Sequence, residues 1–292
     1  MLGEVLTAVV TPFDPAGRLE LERFRALCAH LVEHGSDGVV VTGTTGESPT
    51  LSDSERFELW EAAVDAVGDR ATVIAGTGTY STEHSVHLTE AADKLGVDGF
   101  LVVAPYYNKP PPRGIVAHFR AIAGAAGDRP IVVYNIPGRV VINIEPETIA
   151  ELAEIPNVVA VKQANDDLDQ ARRIVELGLD LYAGDDNLIQ SFLELGGLGG
   201  ICVHTHVVGP QVAEQVRRFR DGDVEGSRRI DEELQPSYEL LKVAPNPIAI
   251  KAALNLLGHE VGGLRLPLVE ATPDEVEQVR SCLERLNVLA TA

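Results

Sequence analysis

A single lysine stands at the end of an apolar, β-branched run, where an ammonium group is costly to bury. Lys162 follows Val158-Val159-Ala160-Val161, a run typical of a strand that is buried on both faces. Burial disfavours the charged form, so we expect a pKa below the ordinary value of about 10.4. A neutral amine can attack a ketone and form a Schiff base. The same placement suits a structural lysine that pairs with a carboxylate or extends to the surface.

Hydroxyl, phenol and guanidinium groups stand where other apolar runs end. The turn Thr44-Thr45-Gly46 could bind a carboxylate through amides and hydroxyls, or could be an ordinary strand-to-helix turn. Tyr107 and Tyr134 could move protons, although a lone tyrosine is more often a core or rim aromatic. Arg139 could hold a carboxylate with its planar fork, or lie on the surface. With Lys162, these groups would make a site that captures a carbonyl compound.

Two further pairs could suggest a metal. His204 and His206 form an H-x-H pattern at the expected end of a strand, where i and i+2 share a face. A catalytic zinc site usually needs a third protein ligand, and none stands nearby, so we predict that one of the histidines is a pocket-rim residue. Asp185 and Asp186 could be a carboxylate pair or a magnesium site, but capping the helix expected near Asn187 is the simpler role. We predict no metal.

The strands and helices that must position these groups are indicated by two hydrophobic patterns that alternate along the sequence. Short apolar runs with strand character recur along the chain: Val5 to Thr11, Gly38 to Thr42, Thr72 to Ala75, Gly99 to Ala104, Pro130 to Asn135, Val158 to Lys162, Leu179 to Ala183, and Gly200 to Val203. Helical patterns separate them, one of which begins with the capping pair Ser52 and Glu55. Strand–helix units with short connections predict a closed TIM (β/α)8 barrel, with catalytic groups at the strands' C-terminal ends. A doubly wound sheet is the alternative, which the absence of a G-x-G-x-x-G phosphate fingerprint weakens.

The chain continues well beyond the eighth run. We assign residues 1–207 to the barrel's strands and most of its helices, and residues 208–292 to the last barrel helix and a C-terminal helical extension. Helical patterns cover Val212 to Phe219, Asp223 to Lys242 and Pro247 to Leu257. Thr272, Pro273 and Glu275 predict the start of a last helix.

Composition restricts the class of protein. The chain has 292 residues and a formal net charge of −20, which argues against binding to nucleic acid or an anionic membrane surface. Cys28, Cys202 and Cys282 are far apart and lack metal-ligand spacing, so we expect buried reduced thiols. There is neither a signal-peptide pattern nor an apolar run of about 20 residues. We therefore expect a soluble cytoplasmic protein.

The order of these motifs resembles the dihydrodipicolinate synthases, within the N-acetylneuraminate lyase superfamily. The resemblance covers essentially the whole chain, and it rests on the following segments: Gly43-Thr44-Thr45-Gly46-Glu47-Ser48, Ala104-Pro105-Tyr106-Tyr107-Asn108-Lys109-Pro110, Tyr134-Asn135-Ile136-Pro137-Gly138-Arg139, Val161-Lys162, Gly184-Asp185-Asp186, Asn246-Pro247, Lys251-Ala252-Ala253-Leu254-Asn255 and Arg265-Leu266-Pro267-Leu268. Each motif alone is modest, whereas their order and spacing together are highly specific.

This resemblance implies a role for each catalytic residue. Lys162 would form the Schiff base with pyruvate, and Tyr134 would be the acid/base group above the imine. Thr45 would link Tyr134 to Tyr107 in a proton relay that Thr44 supports. Tyr107 would enter the site of a neighbouring subunit, so a dimer is the minimal competent unit and a homotetramer is expected.

It also implies a substrate pocket and a reaction. Thr44 and Thr45 would hold the pyruvate carboxylate, Ile201 and Gly184 would line the pocket, and Arg139 would bind the carboxylate of aspartate 4-semialdehyde. The product would be 4-hydroxy-tetrahydrodipicolinate, in diaminopimelate and lysine biosynthesis, with no metal or organic cofactor.

Two enzymatic alternatives and one non-enzymatic alternative remain at this point. Thr44-Thr45 and Arg139 favour the synthase over an aldolase or lyase for sialic acid or a 2-keto-3-deoxy acid. Gln163, His204 and His206 depart from the family pattern and bear on substrate preference. A catalytically inactive binding relative is the third alternative, against which the retained Lys162 and tyrosines argue.

The residues that bear on feedback inhibition by lysine are a different set from the catalytic residues. Lysine-inhibited members of the family bind lysine near Ser48 and Tyr106, and they usually carry Asn and Glu at the positions of Tyr80 and His84. They also carry His where Asp53 or Arg56 stands. Because the ligand's ammonium group loses its glutamate partner here, we expect weak or no inhibition by lysine.

Overall fold

Eight parallel strands close into a barrel in sequence order, β1 to β8. The computed structural model describes residues 2–289. The strands are β1 Val5–Ala8, β2 Gly38–Val41, β3 Thr72–Gly76, β4 Gly99–Val103, β5 Ile131–Asn135, β6 Val158–Gln163, β7 Asp180–Ala183 and β8 Gly199–Cys202. β1 pairs with β8, which confirms the (β/α)8 barrel and excludes the doubly wound sheet. Each of the eight apolar runs overlaps one strand, but β1 ends at Ala8 rather than at Thr11.

Helices surround the barrel and continue after its last strand. They are α1 Leu21–Glu33, α2 Asp53–Val67, α3 Thr82–Lys94, α4 Pro112–Ala125, α5 Pro137–Val140, α6 Pro146–Ala153, α7 Leu168–Glu176, α8 Ile189–Glu194, α9 Thr205–Arg220, α10 Val224–Glu233, α11 Gln235–Leu240, α12 Ile248–Leu256 and α13 Pro273–Arg285. Single 3₁₀ turns lie at Ser48–Thr50 and Asp186–Leu188. Both predicted capping boxes are present, Ser52 with Glu55 at α2 and Thr272 with Glu275 at α13.

The helical extension differs from its prediction in two places. The expected continuous stretch from Asp223 to Lys242 is two helices, since α10 ends at Glu233 and Pro236 lies in the first turn of α11. A proline that lacks an amide hydrogen suits a first turn but interrupts a longer helix. α9 begins earlier than expected and is kinked at Val208, two residues before Pro210. The proposed division after residue 207 falls inside α9 and stays a prediction.

The core fills both the barrel interior and the layer between strands and helices. β-branched residues such as Val39, Val40 and Ile74 are fully buried, as expected for strands covered on both faces. All three cysteines are buried and free, which confirms that prediction. Among residues 2–289, no helix combines the length and the apolar character needed to cross a membrane.

Candidate active site

Lys162 lies inside β6 at the floor of a cavity of about 610 Å³. Its backbone is in register with Tyr134 of β5 and with Tyr182 of β7. Adjacent strands place in-register side chains on the same face of a sheet, so Tyr134 and Lys162 lie side by side. The Lys162 Nζ atom is 4.3 Å from the centroid of the Tyr134 ring. The lysine that the sequence singles out therefore points into the barrel mouth, and not outward beneath a helix.

Burial controls the protonation of Lys162. The side chain is only 4% exposed, and burial lowers its pKa from 10.5 to about 8 because the ammonium form loses its hydration. The carboxylates of Asp186 and Asp185 and the Cys202 thiol oppose this shift, whereas the Arg139 cation adds to it. A substantial neutral fraction is thus present near pH 8, as a nucleophilic amine requires.

Tyr134 faces Lys162 as a protonated phenol. Burial raises its pKa above the ordinary value, and Arg139 and the hydroxyl of Thr44 oppose the rise. A buried neutral phenol can donate a proton to an oxygen that forms beside it. The family resemblance suggested that Thr45 links to Tyr134 with Thr44 in support. In the structure, the Thr44 hydroxyl acts on the phenol's pKa, whereas Thr45 Oγ1 accepts from Asn246; the roles of the two threonines in the relay stay a prediction.

The turn that carries both threonines has an unfavourable backbone conformation at its two ends. Thr42 and Glu47, at its two ends, have φ angles of 57° and 56°, which non-glycine residues rarely adopt. Thr42 is fixed by its own hydroxyl, which donates to the Gly76 carbonyl at 3.1 Å and accepts from Trp60 Nε1 at 2.8 Å. A Cβ on Gly46 would lie 3.2 Å from the Val9 carbonyl oxygen, tighter than an ordinary contact. Buried neighbours therefore hold the turn against the barrel.

The C-terminal extension forms one wall of the site, a contribution that the motifs did not reveal. Residues 241–246 line the cavity beside Lys162. Asn246 Nδ2 donates to Thr45 Oγ1 at 3.0 Å, while Asn246 Oδ1 is buried and has no hydrogen-bond partner among residues 2–289. Asn246-Pro247 was noted in the sequence only as a family motif. Asn246 and Thr45 are 201 residues apart in the chain, so no local sequence pattern predicts their contact.

The other predicted pocket residues occupy different positions. Arg139 and Gly184 line the cavity, and Arg139 lies in the exposed α5. Gly184 permits close packing of β7 on β6, since an added Cβ would lie 2.7 Å from that of Ala164. Ile201 is fully buried in β8 and is not among the residues that line the cavity. Tyr107 is 90% exposed and lies outside the cavity of its own chain.

The two histidines near β8 are not strand residues. β8 ends at Cys202, and His204 and His206 lie at the start of α9, so the argument from a shared strand face was wrong. The His206 side chain accepts a hydrogen bond from the Val10 amide at 3.3 Å, and its Nδ1 lies 2.8 Å from the Val203 carbonyl. Burial lowers its pKa to about 4. His206 is thus a neutral, buried histidine and not a rim residue.

Asp185 and Asp186 also differ from their predicted capping role. Asp185 precedes the 3₁₀ turn but makes no capping hydrogen bond. Asp186 Oδ1 instead accepts the amides of Val203 and His204, both at 2.7 Å, and so fixes the connection that leads into α9. This carboxylate is buried close to Lys162, on which it acts electrostatically.

One group of side chains has the composition of a metal site. Asp186, Cys202 and His204 are buried with their ligand atoms within 4.8 Å of one another, a group that includes only one histidine of the H-x-H pair. His204 Nδ1 is 3.0 Å from Ser237 Oγ, which donates to Leu234 O. Because Asp186 Oδ1 already accepts two amides, we assign no metal to this group.

Gln163 points away from the site. Its side chain lies in a buried amide network between β6 and α7, in which Nε2 donates to Gln170 at 2.7 Å and Oε1 accepts from Asn135 at 3.0 Å. Successive residues of a strand face opposite sides, so the residue after Lys162 is directed toward the helices. Its departure from the family pattern therefore does not alter the cavity.

Comparison with known proteins agrees with this arrangement. Residues 1–286 match the model of the Dihydrodipicolinate synthetase family. The 4-hydroxy-tetrahydrodipicolinate synthase of a Cyanothece species is 49% identical, over 98% of this chain and 99% of the relative. The solved dihydrodipicolinate synthase of Cyanidioschyzon merolae with lysine bound is 46% identical, with a TM-score of 0.96 over 99% of each chain. That of Thermotoga maritima is 41% identical, with a TM-score of 0.95 over 99% of this chain and 100% of the other. The chain belongs to the dihydrodipicolinate synthetase family.

Proposed function

We propose that the protein is a 4-hydroxy-tetrahydrodipicolinate synthase, a lyase that condenses pyruvate with L-aspartate 4-semialdehyde through a Schiff base on Lys162. The observation that carries the proposal is a buried lysine amine, with a pKa lowered to about 8, beside a protonated tyrosine at the floor of an open cavity. The substrates follow from the similar relatives, which are 4-hydroxy-tetrahydrodipicolinate synthases. Neither a metal nor an organic cofactor is required.

The first half of the reaction activates pyruvate. The neutral Lys162 amine adds to the ketone carbon, and the Tyr134 phenol gives its proton to the carbinolamine oxygen, which leaves as water. The resulting iminium withdraws electrons, so a methyl proton passes to the Tyr134 phenolate left by the previous step and an enamine forms. Thr44 and Thr45 are placed to hold the pyruvate carboxylate through the turn's hydroxyls and amides.

The second half joins the two substrates. The enamine carbon attacks the aldehyde carbon and forms the new C–C bond, while the iminium is restored. The semialdehyde's amine then attacks the iminium carbon, which closes the ring; an amine proton moves to the Lys162 nitrogen, which leaves as the free amine. Arg139, an exposed residue of α5 at the cavity wall, binds the semialdehyde's carboxylate with its planar fork.

The proton path leads from Tyr134 toward a neighbouring subunit. Thr44 lies beside the phenol, and Tyr107 would approach from a second chain. Tyr107 is 90% exposed and its φ is 74°, so its large aromatic side chain extends away from its own barrel. This placement supports the role. We propose a homotetramer, built as a dimer of dimers, in the cytoplasm.

Borohydride trapping tests the proposal. Incubation with pyruvate and borohydride should add one reduced pyruvate unit to Lys162, identified by peptide mass, and Lys162→Ala should abolish both the adduct and most turnover. Lys94→Ala, at an exposed lysine on α3, is the matched control. An unmodified Lys162 would contradict the Schiff-base mechanism.

Substrate identity requires a second measurement. Turnover of pyruvate with aspartate semialdehyde is compared with cleavage of sialic acid and 2-keto-3-deoxy acids. Arg139→Ala should mainly raise the KM for the semialdehyde and leave pyruvate trapping intact. Preferred cleavage of a sugar acid by the wild-type protein would identify an aldolase instead.

A further inference from the structure

A buried ion pair lies directly behind the catalytic turn. Lys251 of α12 is 1% exposed, and its Nζ donates to Glu47 Oε1 at 2.9 Å. The same nitrogen donates to the Thr11 carbonyl at 2.8 Å and to the Gly263 carbonyl. It also lies 4.5 Å from the centre of the Phe13 ring. Burial lowers the pKa of Lys251, and Glu47 opposes that shift.

Glu47 is the last residue of the turn that carries the catalytic threonines. Its backbone is left-handed, with φ at 56°, and its amide donates to the Thr44 carbonyl at 3.1 Å. Both carboxylate oxygens are used, since Oε2 accepts the Arg265 amide at 3.0 Å. A side chain fixed at both oxygens restrains the unfavourable backbone conformation to which it is attached.

The C-terminal extension therefore holds the turn at two points. Lys251 holds Glu47, and Asn246, five residues earlier in the chain, donates to Thr45 Oγ1. Arg265 adds a third link beyond the turn, through Glu55 of α2. None of these partners belongs to a barrel strand. The position of the threonines thus depends on a segment outside the strands that carry Lys162 and Tyr134.

We propose that Glu47 and Lys251 are positioning residues, which set the Thr44–Thr45 turn for proton transfer at Tyr134. The inference rests on the proposed function of that turn. Lys162 is held by β6, so at saturating pyruvate and long incubation every Lys162 should still be trapped after loss of the pair, although trapping is slower because Tyr134 also serves Schiff-base formation. Steps that need Thr44 and Thr45 in place should slow, because small misplacements of catalytic groups cost large factors in rate.

The test separates these steps. Glu47→Leu combined with Lys251→Met replaces the pair by apolar side chains of similar size, a change that buried ion pairs often tolerate. Glu47→Gln alone keeps an acceptor for the Arg265 amide. For each, borohydride counts the Lys162 sites that react with pyruvate. NMR in D2O measures exchange of pyruvate methyl protons, and a coupled assay measures kcat. We expect complete trapping at long incubation, with exchange and kcat per trapped site lowered by about 10- to 100-fold.

A matched control uses an exposed ion pair of the same extension. Glu239→Leu with Arg285→Met removes an exposed link between α11 and α13 whose two side chains do not line the cavity, and it should leave both rates unchanged. Wild-type exchange and kcat per trapped site in either Glu47 variant would overturn the inference, even if thermal stability fell. Failure of the wild-type protein to trap pyruvate would instead contradict the proposed function.

Discussion

The chemistry of the site depends on one nitrogen whose protonation is set by opposing neighbours. Burial lowers the pKa of Lys162, while Asp186, Cys202 and Asp185 raise it. The resulting pKa of about 8 leaves a neutral amine available, and the two nearby carboxylates stabilise the positive charge of an iminium. Sequence placement suggested the buried amine, but only the folded arrangement brings the two carboxylates beside it.

The first prediction concerns the pH dependence of pyruvate activation. Only neutral Lys162 attacks the ketone, so kcat/KM for pyruvate should rise by about tenfold per pH unit below the pKa of about 8 and then level off. Initial rates between about pH 6 and pH 9 at constant ionic strength would measure this. A profile that is flat across the range would contradict a lysine with a lowered pKa as the limiting nucleophile.

The second prediction concerns the stability cost of the same residue. The folded-state pKa, about 8, lies below the unfolded value of 10.5, so the unfolded chain binds the proton more tightly. Lys162 therefore destabilises the fold fully below pH 8, and the cost disappears as the pH rises toward 10.5. Lys162→Met should raise the free energy of unfolding at pH 7 by roughly 1–3 kcal/mol.

Denaturant unfolding of that variant at two pH values supplies the check. The gain should shrink at about pH 10, where the folded-state lysine is neutral and the unfolded-state lysine has begun to lose its proton. Lys94→Met, at an exposed position, should change stability little at either pH. Equal stability of Lys162→Met and wild type at pH 7 would show that neighbouring carboxylates fully offset the desolvation.

Among the helices and strands, the sequence correctly predicted features that depend on residues close to one another in the chain. The capping boxes at Ser52 and Thr272 depend on residues three apart and were predicted correctly. His204 and His206 were placed on a strand because apolar residues continue beyond Cys202, whereas Asp186 accepts the amides there and lets α9 begin. That contact joins distant elements, and no sequence period contains it.

The third prediction concerns the segment that the family resemblance assigns to lysine binding. In this chain α2 and α3 are joined by a contact of 2.9 Å between His84 Nε2 and Asp53 Oδ1. Arg56, also on α2, is buried and donates to the Ser48 carbonyl at 2.6 Å. A lysine ligand would meet the Arg56 cation without the glutamate that the resemblance assigns to position 84, and we expect little inhibition by lysine up to about 10 mM.

Initial rates over a lysine titration test this directly. His84→Glu returns a carboxylate to the position and should increase inhibition. Asp53→Asn serves as a comparison, because it removes the carboxylate that contacts His84 without adding an acidic group at position 84. Strong inhibition of the wild-type protein at submillimolar lysine would contradict the prediction.

For the whole molecule, barrel closure explains why residues far apart in sequence meet. β2, β5 and β6 direct their C-terminal ends to one mouth, which gathers Thr44, Tyr134 and Lys162. The alternation of apolar runs and helices sufficed to predict this. It could not predict the wall formed by residues 241–246, because that wall depends on how the extension packs on the closed barrel.

The fourth prediction concerns Tyr107, a proposed catalytic residue that lies outside the cavity of its own chain. Tyr107 projects from its own barrel, so it can serve only a site in another subunit if it acts in the proton path. Lys162→Ala and Tyr107→Phe should each be poorly active alone. Refolded together, they form mixed dimers in which one site combines an intact Lys162 with the partner's intact tyrosine. For random pairing, activity should recover to about a quarter of the wild-type value, above the mean of the parents. Activity that stays at the parental mean in dimers shown to be mixed would place Tyr107 outside the reaction.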